Sequence, residues 1–167
     1  MDNTHKIREH IKVISNNSLI TDWDAWYLNL CIEVSKKSKD PSTKCGAIIA
    51  RPDKTQLSMG YNNFPMGMDD ADHLYEDRGV KLDRIIHAEM NAIIFAPERP
   101  VDCTLYVWPF LPCSRCAVHV IQSGITRIVA PDFVKDKWIE DFGRSLSYFN
   151  EKNIRVDLAN YGDFERN

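Results

Sequence analysis

The feature that most constrains this chain is a pair of short motifs, HAE at residues 87–89 and PCSRC at residues 112–116, the second beginning 23 residues after Glu89. One imidazole and two thiolates make a three-ligand set for zinc. Three protein ligands leave the fourth tetrahedral position to water, as in catalytic zinc sites. Any fold of this chain must therefore bring two segments that are distant in sequence to one point. The predicted metal ligands are His87, Cys113 and Cys116.

Glu89 is predicted to carry the proton of the metal-bound water. Residues two apart do not face the same way on a regular helix, so His87 can bind the ion while Glu89 leans over the water. Two alternatives remain open: a closed structural zinc site with Glu89 on the surface, and a domain without zinc. A closed site needs a fourth ligand, and neither His73 nor His119 has a paired spacing that would supply it.

Composition places the chain among ordinary globular proteins of one domain, with 167 residues, 44% of them hydrophobic. The net charge is −3 and no long run of Lys or Arg occurs, which argues against a polynucleotide partner. Five cysteines, two of them in C-x-x-C, favour metal binding in a reducing compartment over a disulfide framework. No signal peptide and no apolar stretch of membrane-spanning length is apparent, so a cytoplasmic location without membrane contact is expected.

The pattern along the chain predicts an α/β domain at residues 21–167, preceded by a helical appendage at residues 1–20. Strands are predicted at 45–50, 56–61, 104–108, 126–130 and 154–158, and helices at 5–14, 22–39, 87–95, 113–122 and 135–150. After the first hairpin, strands alternate with helices, so the later strands should be parallel, with helices on both faces. Asp22 is the expected N-cap of the second helix, and residues 62–84 are expected to form a long loop.

The two motifs are typical of zinc deaminases that act on cytosine or adenine rings. From about Trp26 to Val156 the chain resembles the cytidine and deoxycytidylate deaminase family, and within it the deoxycytidylate (dCMP) deaminases. The resemblance rests on four segments together, which are far more specific than the zinc signature alone. They are HAEMNAI at 87–93, PCSRCA with IQSGI between 112 and 125, KDPSTKCGA at 39–47 and GYNNFPMG at 60–67.

The resemblance implies a three-layer α/β/α sandwich around a five-stranded mixed sheet, with residues 21–167 as the zinc-dependent deaminase domain. It implies Zn²⁺ on His87, Cys113 and Cys116, with Glu89 as the proton shuttle. It further implies that Asn62 holds the sugar and orients the pyrimidine, that dCMP is converted to dUMP, and that the protein is a homo-oligomer, a dimer or a hexamer. Asn63 stands where relatives have glycine, in a turn expected to need a positive φ, which asparagine tolerates.

Substrate contacts are predicted from the residues that flank these motifs. The hydroxyls and the ammonium group at residues 42–44 could hold a 5′-phosphate, or could form an ordinary polar loop. The bulky segment at residues 108–111 is one residue longer than in dCMP deaminases and should line the base pocket. The predicted substrate-binding residues are Asn62, Ser42, Lys44, Ala88, Trp108 and Phe110.

Two other functions remain open at this point. The same chemistry could act on a nucleoside, CMP, dCTP, a modified dCMP or an adenosine in tRNA, although a tRNA substrate calls for a basic surface that the net charge does not support. Alternatively, the chain could be a non-catalytic domain that senses nucleotides and keeps zinc for stability. Glu89 argues against this second reading, because a purely structural zinc site has no use for the carboxylate.

Overall fold

A five-stranded mixed sheet forms the centre of the computed structural model, which describes residues 2–164. Its strands follow the order β2-β1-β3-β4-β5. β1 is antiparallel to both β2 and β3, while β3, β4 and β5 are parallel, which confirms the predicted mixed sheet. The strands are β1 (Gly46–Ala50), β2 (Gln56–Tyr61), β3 (Thr104–Trp108), β4 (Arg127–Pro131) and β5 (Arg155–Ala159).

In the part of the chain that the structure describes, seven α-helices surround the sheet, together with two 3-10 turns at 136–138 and 161–163. The helices are α1 (Asn3–Asn17), α2 (Asp22–Ser35), α3 (Asp72–Glu76), α4 (Arg78–Arg84), α5 (Ala88–Ile94), α6 (Ser114–Ser123) and α7 (Ile139–Glu151). No helix within residues 2–164 combines the length and apolarity needed to cross a bilayer. The last long helix, α7, starts at residue 139, four residues later than predicted, because a 3-10 turn precedes it.

The apolar core lies in two layers, one on each face of the sheet. On one face, Leu28 and Cys31 of α2 pack against Ile48 and Val129. On the other, side chains of α5, α6 and α7 pack with the opposite face of the same strands, and α1 adds Ile11 to this layer. Every residue of β1 is buried, as expected for a strand covered on both sides. The predicted three-layer α/β/α sandwich is thereby confirmed.

Gly60 of β2 lets α5 lie directly against the sheet. A Cβ at this position would lie 2.4 Å from the Ala88 carbonyl oxygen and 2.5 Å from the Ala92 nitrogen. These are backbone atoms of α5, so a side chain here would have to push the helix away. The absence of a side chain at one strand position thus sets the distance between β2 and the helix that follows His87.

Helix α2 begins and ends differently from the prediction. Thr21, rather than Asp22, is the N-cap: its hydroxyl accepts a hydrogen bond from the Asp24 nitrogen at 3.2 Å, and the Asp24 carboxylate accepts from the Thr21 nitrogen at 3.0 Å. This reciprocal capping box satisfies two backbone donors, which a cap at Asp22 would leave unpaired. The helix ends at Ser35, before the expected boundary near Lys39.

The expected long loop at residues 62–84 instead contains α3 and α4. The Tyr75 ring of α3 stacks on Phe64 at 4.0 Å, and its hydroxyl accepts a hydrogen bond from the Phe64 nitrogen. Asp77 caps α4 by accepting from the Val80 nitrogen at 3.0 Å. Helices of five and seven residues are too short to show a convincing apolar period, and tertiary packing stabilises them instead.

Candidate active site

The three predicted metal ligands meet where two helices begin. His87 Nδ1 lies 3.5 Å from Cys113 Sγ and 3.3 Å from Cys116 Sγ, and the three ligand atoms all lie within 4.8 Å of one another. His87 is the N-cap of α5 and Cys113 is the N-cap of α6, so both stand just outside the helices in which they were predicted to lie. Their extended backbone turns the side chains towards each other across the gap between α5 and α6.

The spacing of these atoms fits zinc. A tetrahedral ion with Zn–S of about 2.3 Å and Zn–N of about 2.0 Å separates nitrogen from sulfur by about 3.5 Å. Within residues 2–164, no fourth His, Cys, Asp or Glu joins the group. His119 is engaged elsewhere, because its Nδ1 donates a hydrogen bond to the Arg115 carbonyl at 2.7 Å. The donor set therefore suits a zinc ion with one coordination position left for water.

Hydrogen bonds among the three ligand groups shift their protonation in different directions. The pKa of Cys113 is lowered to about 4, chiefly by a hydrogen bond with Cys116 and then by His87. The Cys116 nitrogen also donates to Cys113 Sγ at 3.4 Å, as expected at the first turn of a helix. The pKa of His87 is raised to about 9, chiefly by its hydrogen bond with Cys113. The hydrogen bond with Cys113 raises the pKa of Cys116, so the negative charge of the group is placed on Cys113, in the thiolate form that binds zinc. Zinc binding would therefore have to displace a proton from His87 and from Cys116.

Glu89 lies in the first turn of α5 and is only 5% exposed. Burial raises the pKa of its carboxyl, and the nearby His87 imidazole lowers it by a smaller amount. A carboxyl group with a raised pKa is suited to accept a proton and release it again near neutral pH. Glu89 is therefore a buried carboxyl beside the ligand group, rather than a solvated surface carboxylate.

Helix α7 holds the second ligand motif from behind. Asp141 accepts hydrogen bonds from the Ser114 nitrogen at 2.9 Å and the Ser114 hydroxyl at 2.6 Å. Ser145, fully buried, donates its hydroxyl hydrogen to the Pro112 carbonyl at 2.7 Å. Burial works against ionisation of Asp141, but the bonds from Ser114 keep its pKa below the usual range. The sequence showed no motif for these two contacts, since α7 follows the cysteines by more than 20 residues.

A cavity of about 460 Å³ opens onto the ligand group, a size suited to a nucleotide-like small molecule. His87, Glu89 and Cys113 line it on one side. The apolar part of its lining consists of Leu82, Ile85, Val107, Phe110, Leu111, Trp138 and Phe142. Four cationic side chains, Arg78, Lys81, Lys137 and Arg144, also line it.

Asp40 organises the polar wall of this cavity. Its carboxylate accepts hydrogen bonds from Lys81 Nζ at 3.0 Å, the Ser42 nitrogen at 2.7 Å and Asn62 Nδ2 at 3.3 Å. Lys81 Nζ also donates to the Ser42 hydroxyl at 2.9 Å. Both charged side chains are about 8% exposed, so the pair is buried. Three segments distant in sequence, at residues 40–43, 62 and 81, are therefore tied together at one carboxylate.

Asn62 lines the cavity, but its amide is largely engaged by the protein. Besides Asp40, Nδ2 donates to the Thr43 carbonyl at 3.0 Å, and Oδ1 accepts from the Cys45 nitrogen at 2.8 Å. The neighbouring Asn63 does not adopt the expected positive φ. That expectation is wrong because Asn63 exchanges two backbone hydrogen bonds with Ile86 and is thereby held in a short bridge.

The other predicted substrate contacts fall in different places. Ser42 and Phe110 line the cavity. Ala88 is fully buried behind it, against β2. Lys44 is exposed and lies outside the cavity lining. Trp108 also lies outside the lining and packs on Tyr161 at 5.2 Å, in the layer on the α2 side of the sheet.

Arg78 of α4 and Lys137 of the 3-10 turn also line the cavity, and neither forms an ion pair within residues 2–164. The sequence analysis did not identify either residue. Lys81 and Arg144, by contrast, are paired with Asp40 and Asp141. Arg78 lay in the segment interpreted as a loop. Lys137 stands among other charged residues with no pattern to single it out, so no local signal identified either one.

Residues 21–131 match the family described as "Cytidine and deoxycytidylate deaminase zinc-binding region". An Aliivibrio fischeri protein named "Uncharacterized deaminase in luxG 3'region" is 33% identical over 141 residues, covering 83% of this chain and 94% of that protein. The human deoxycytidylate deaminase is 34% identical over 123 residues, covering 70% and 67% of the two chains.

Among solved structures, the dCMP deaminase of cyanophage S-TIM5 in complex with dCMP and dUMP has the same fold. The TM-score is 0.68 at 19% identity, with 80% of this chain and 94% of that chain covered. This likeness shows the architecture alone, while the family match extends over both ligand motifs. The chain is thus a member of the cytidine and deoxycytidylate deaminases, a family of zinc-dependent hydrolytic enzymes.

Proposed function

We propose that this enzyme hydrolyses dCMP to dUMP and ammonia, with His87, Cys113 and Cys116 as its zinc ligands and Glu89 as its proton shuttle. The observation that carries the proposal is the composition of one cavity: the ligand group and a buried carboxyl line it together with two cations that form no ion pair within residues 2–164. A pyrimidine can face the ligand group and the Glu89 carboxyl, while a phosphate can face the cations. The relatives named deoxycytidylate deaminase support this choice of substrate.

Glu89 performs the proton transfers in the proposed reaction. When bound, zinc supplies a Lewis acid that makes a water molecule nucleophilic near neutral pH. Glu89 accepts a proton from the attacking water and delivers it to the ring nitrogen next to the amino-bearing carbon. It then takes the second proton of the former water from the new hydroxyl on that carbon and passes it to the exocyclic amine. The carbon–nitrogen bond breaks, ammonia leaves and the ring carbonyl of uracil forms. The raised pKa of the Glu89 carboxyl suits both directions of transfer.

Phe110 and the polar wall would position the substrate. Phe110 lines the cavity and packs on Phe142, which also lines it, at 5.4 Å between ring centroids, and an aromatic wall of this kind can pack against a planar base. Asn62 Oδ1 accepts a single hydrogen bond within residues 2–164, from the Cys45 nitrogen, and so keeps one acceptor position for a sugar hydroxyl. Arg78 and Lys137 would hold the 5′-phosphate, with the Ser42 hydroxyl beside it.

The assembly and the compartment are also proposals. A homo-oligomer is proposed because the family resemblance implies one. A reducing, cytoplasmic setting is proposed because none of the five cysteines forms a disulfide and two of them meet at the predicted metal site.

The test of the substrate is a panel assay with the zinc-loaded protein. Ammonia release is measured with dCMP, CMP, dCTP, deoxycytidine and a tRNA oligonucleotide at equal concentration. We expect the highest kcat/KM with dCMP and at least a tenfold lower value with deoxycytidine, which lacks the phosphate. Equal rates with dCMP and deoxycytidine would contradict a phosphate site in the cavity. No release from any substrate would favour the nucleotide-sensing alternative.

A further inference from the structure

Helix α1 lies outside the residues that match the family, 21–131, yet it packs into the core of the molecule. Ile11 is buried in the layer that α5, α6 and α7 form on one face of the sheet, and Ile7 and Ile14 pack against the same layer. Ser18, which follows the helix, accepts a hydrogen bond on its hydroxyl from the Leu158 nitrogen at 2.8 Å. These contacts fix the position of α1 relative to the rest of the chain.

Helix α7 lies between α1 and the active-site cavity. A Cβ at Gly143 would lie 2.7 Å from Ile7 Cδ1, so the glycine allows the two helices to approach closely. The residues on either side of this glycine, Asp141, Phe142 and Arg144, line the cavity. One face of α7 therefore contacts α1, while another belongs to the cavity wall.

The β4–α7 loop, residues 132–138, supplies a further part of that wall. Lys137 and Trp138 line the cavity, and the Lys137 ammonium lies 4.6 Å from the centroid of the Trp138 ring. Trp138 packs on Phe110 at 5.1 Å between ring centroids. Lys135 Nζ donates a hydrogen bond to the hydroxyl of Thr43, which also lines the cavity, at 3.0 Å. The loop thus joins the aromatic part of the wall to its polar part.

Two side chains of α1 hold the β4–α7 loop from outside the cavity. Ser15 donates its hydroxyl hydrogen to the Asp132 carboxylate at 3.0 Å, at the start of the loop. Arg8 forms an ion pair with Asp136, which directly precedes the two residues of the loop that line the cavity. The helix therefore supports the loop at its first residue and again next to the cavity wall.

A loop that is already held in place binds a ligand at a lower entropic cost. A lysine on a free loop loses conformational freedom when it contacts a phosphate, and this loss subtracts from the affinity. We propose that Arg8 and Ser15 are positioning residues of the active site, which keep Lys137 and Trp138 in the cavity wall before the substrate binds. The identity of that substrate rests on the proposed function, whereas the role of α1 goes beyond it.

The kinetic signature of this role is a change in KM without a change in kcat. Arg8 and Ser15 contact the β4–α7 loop and do not line the cavity, so their loss should leave the zinc group and Glu89 as they are. A substrate with a phosphate should bind more weakly, because Lys137 is no longer held. A merely structural role would instead lower the active fraction of the enzyme, so that kcat would fall equally with every substrate.

The main test is steady-state kinetics of the full, zinc-loaded chain carrying Arg8→Gln and Ser15→Ala together. The KM for dCMP should rise about fivefold, the size expected when one exposed ion pair and one hydrogen bond are lost. The kcat for dCMP and the KM for deoxycytidine should each change less than about twofold. Lys12→Gln is the matched control, because it removes an exposed ion pair of the same helix, with Glu9, and should change nothing.

Three outcomes of this test would overturn the proposal. They are an unchanged KM for dCMP, a parallel loss of kcat with both substrates, and an equal effect of Lys12→Gln. A charge reversal adds a further check on the pair of Arg8 with Asp136. Arg8→Asp and Asp136→Arg should each raise the KM for dCMP about threefold, and the two together should return it to within about twofold of wild type. A reversed pair that binds dCMP no better than the single variants would contradict the role given to Arg8.

A measurement without nucleotide tests the support of the loop itself. The Asp132 and Trp138 nitrogens donate backbone hydrogen bonds, so hydrogen–deuterium exchange at residues 132–138 reports opening of the loop. Exchange there should be at least about threefold faster in the Arg8→Gln, Ser15→Ala protein than in wild type, while the turn at 51–55 should not change. Equal exchange of the loop in both proteins would refute the positioning role. Because no substrate is present, this result stands whether or not dCMP is turned over.

Discussion

The two halves of the active-site cavity are built in different ways. The half that holds the ligand group is made of two helix starts, with His87 and Cys113 as N-caps and α5 resting directly on β2 at Gly60. The half that would hold the nucleotide is made of side chains from distant segments, joined at the carboxylate of Asp40. The backbone places the proposed reacting groups, whereas a buried ion pair organises the wall proposed to bind the substrate. We therefore expect that chemistry and substrate choice can be changed separately, and four predictions test this.

The largest effect is expected at Glu89. Glu89→Gln keeps the size of the side chain but removes its ability to carry a proton, so kcat for dCMP should fall about 10²–10⁴-fold. Bound zinc, measured by elemental analysis, should stay near one ion per chain because Glu89 is not in the ligand group. Cys116→Ala is the comparison, since it should lose zinc and activity together. Near-normal turnover in Glu89→Gln would remove this residue from the mechanism.

The next effect is expected at Lys81. Lys81→Met leaves the buried Asp40 carboxylate without its cation, which should lower the free energy of unfolding by about 3–5 kcal/mol. Lys36→Met is the matched control, because the Lys36–Glu33 pair is exposed and contributes about 0.5 kcal/mol or less. Urea unfolding measures both. Equal losses in the two variants would mean that Asp40 does not depend on Lys81.

A smaller effect, confined to phosphorylated substrates, is expected at Arg78. Arg78→Gln removes one charge-assisted hydrogen bond, so kcat/KM for dCMP should fall about tenfold, equivalent to about 1.4 kcal/mol. The value for deoxycytidine should not change, because the nucleoside offers no phosphate. Lys137→Gln should behave in the same way. A similar loss on both substrates would show that these cations act on the fold and not on the phosphate.

The smallest effect is expected at Lys44. It stands in the segment that was predicted to bind phosphate, yet it is exposed and does not line the cavity. Lys44→Ala should change kcat/KM for dCMP by less than twofold, measured in the same assay as Arg78→Gln. A tenfold loss specific to dCMP would return the phosphate to the segment at residues 42–44 and contradict the role given to Arg78.

The same contrast explains how much the sequence could predict. The ligand group was predicted because zinc chemistry needs particular residue types at short spacings, and HAE and PCSRC satisfy that need locally. The parallel pairing of the later strands followed from the alternation of strands and helices along the chain. Both predictions rest on patterns that can be read directly from the sequence.

The polar wall of the cavity, which Asp40 organises, could not be predicted in this way. The pair formed by Lys81 and Asp40 joins residues 41 positions apart. Asp40 stands in the family-like segment at 39–47, but nothing in the sequence indicates Lys81 as its partner. Helices α3 and α4 are too short for their apolar period to be visible, so Arg78 and Lys81 were assigned to a loop. Asp141 and Ser145 act through contacts with the Pro112–Ser114 turn that only the packed structure brings into reach.

Gly60 has a consequence for how this enzyme can evolve. Even alanine at this position would meet the backbone of α5, so a single methyl group on β2 would shift the histidine that begins the neighbouring helix. The preceding residue, Met59, lies on the other side of the same strand and is more than half exposed. Adjacent codons therefore face opposite selection: a side chain at position 60 would displace α5, whereas a change at position 59 would leave that helix where it is.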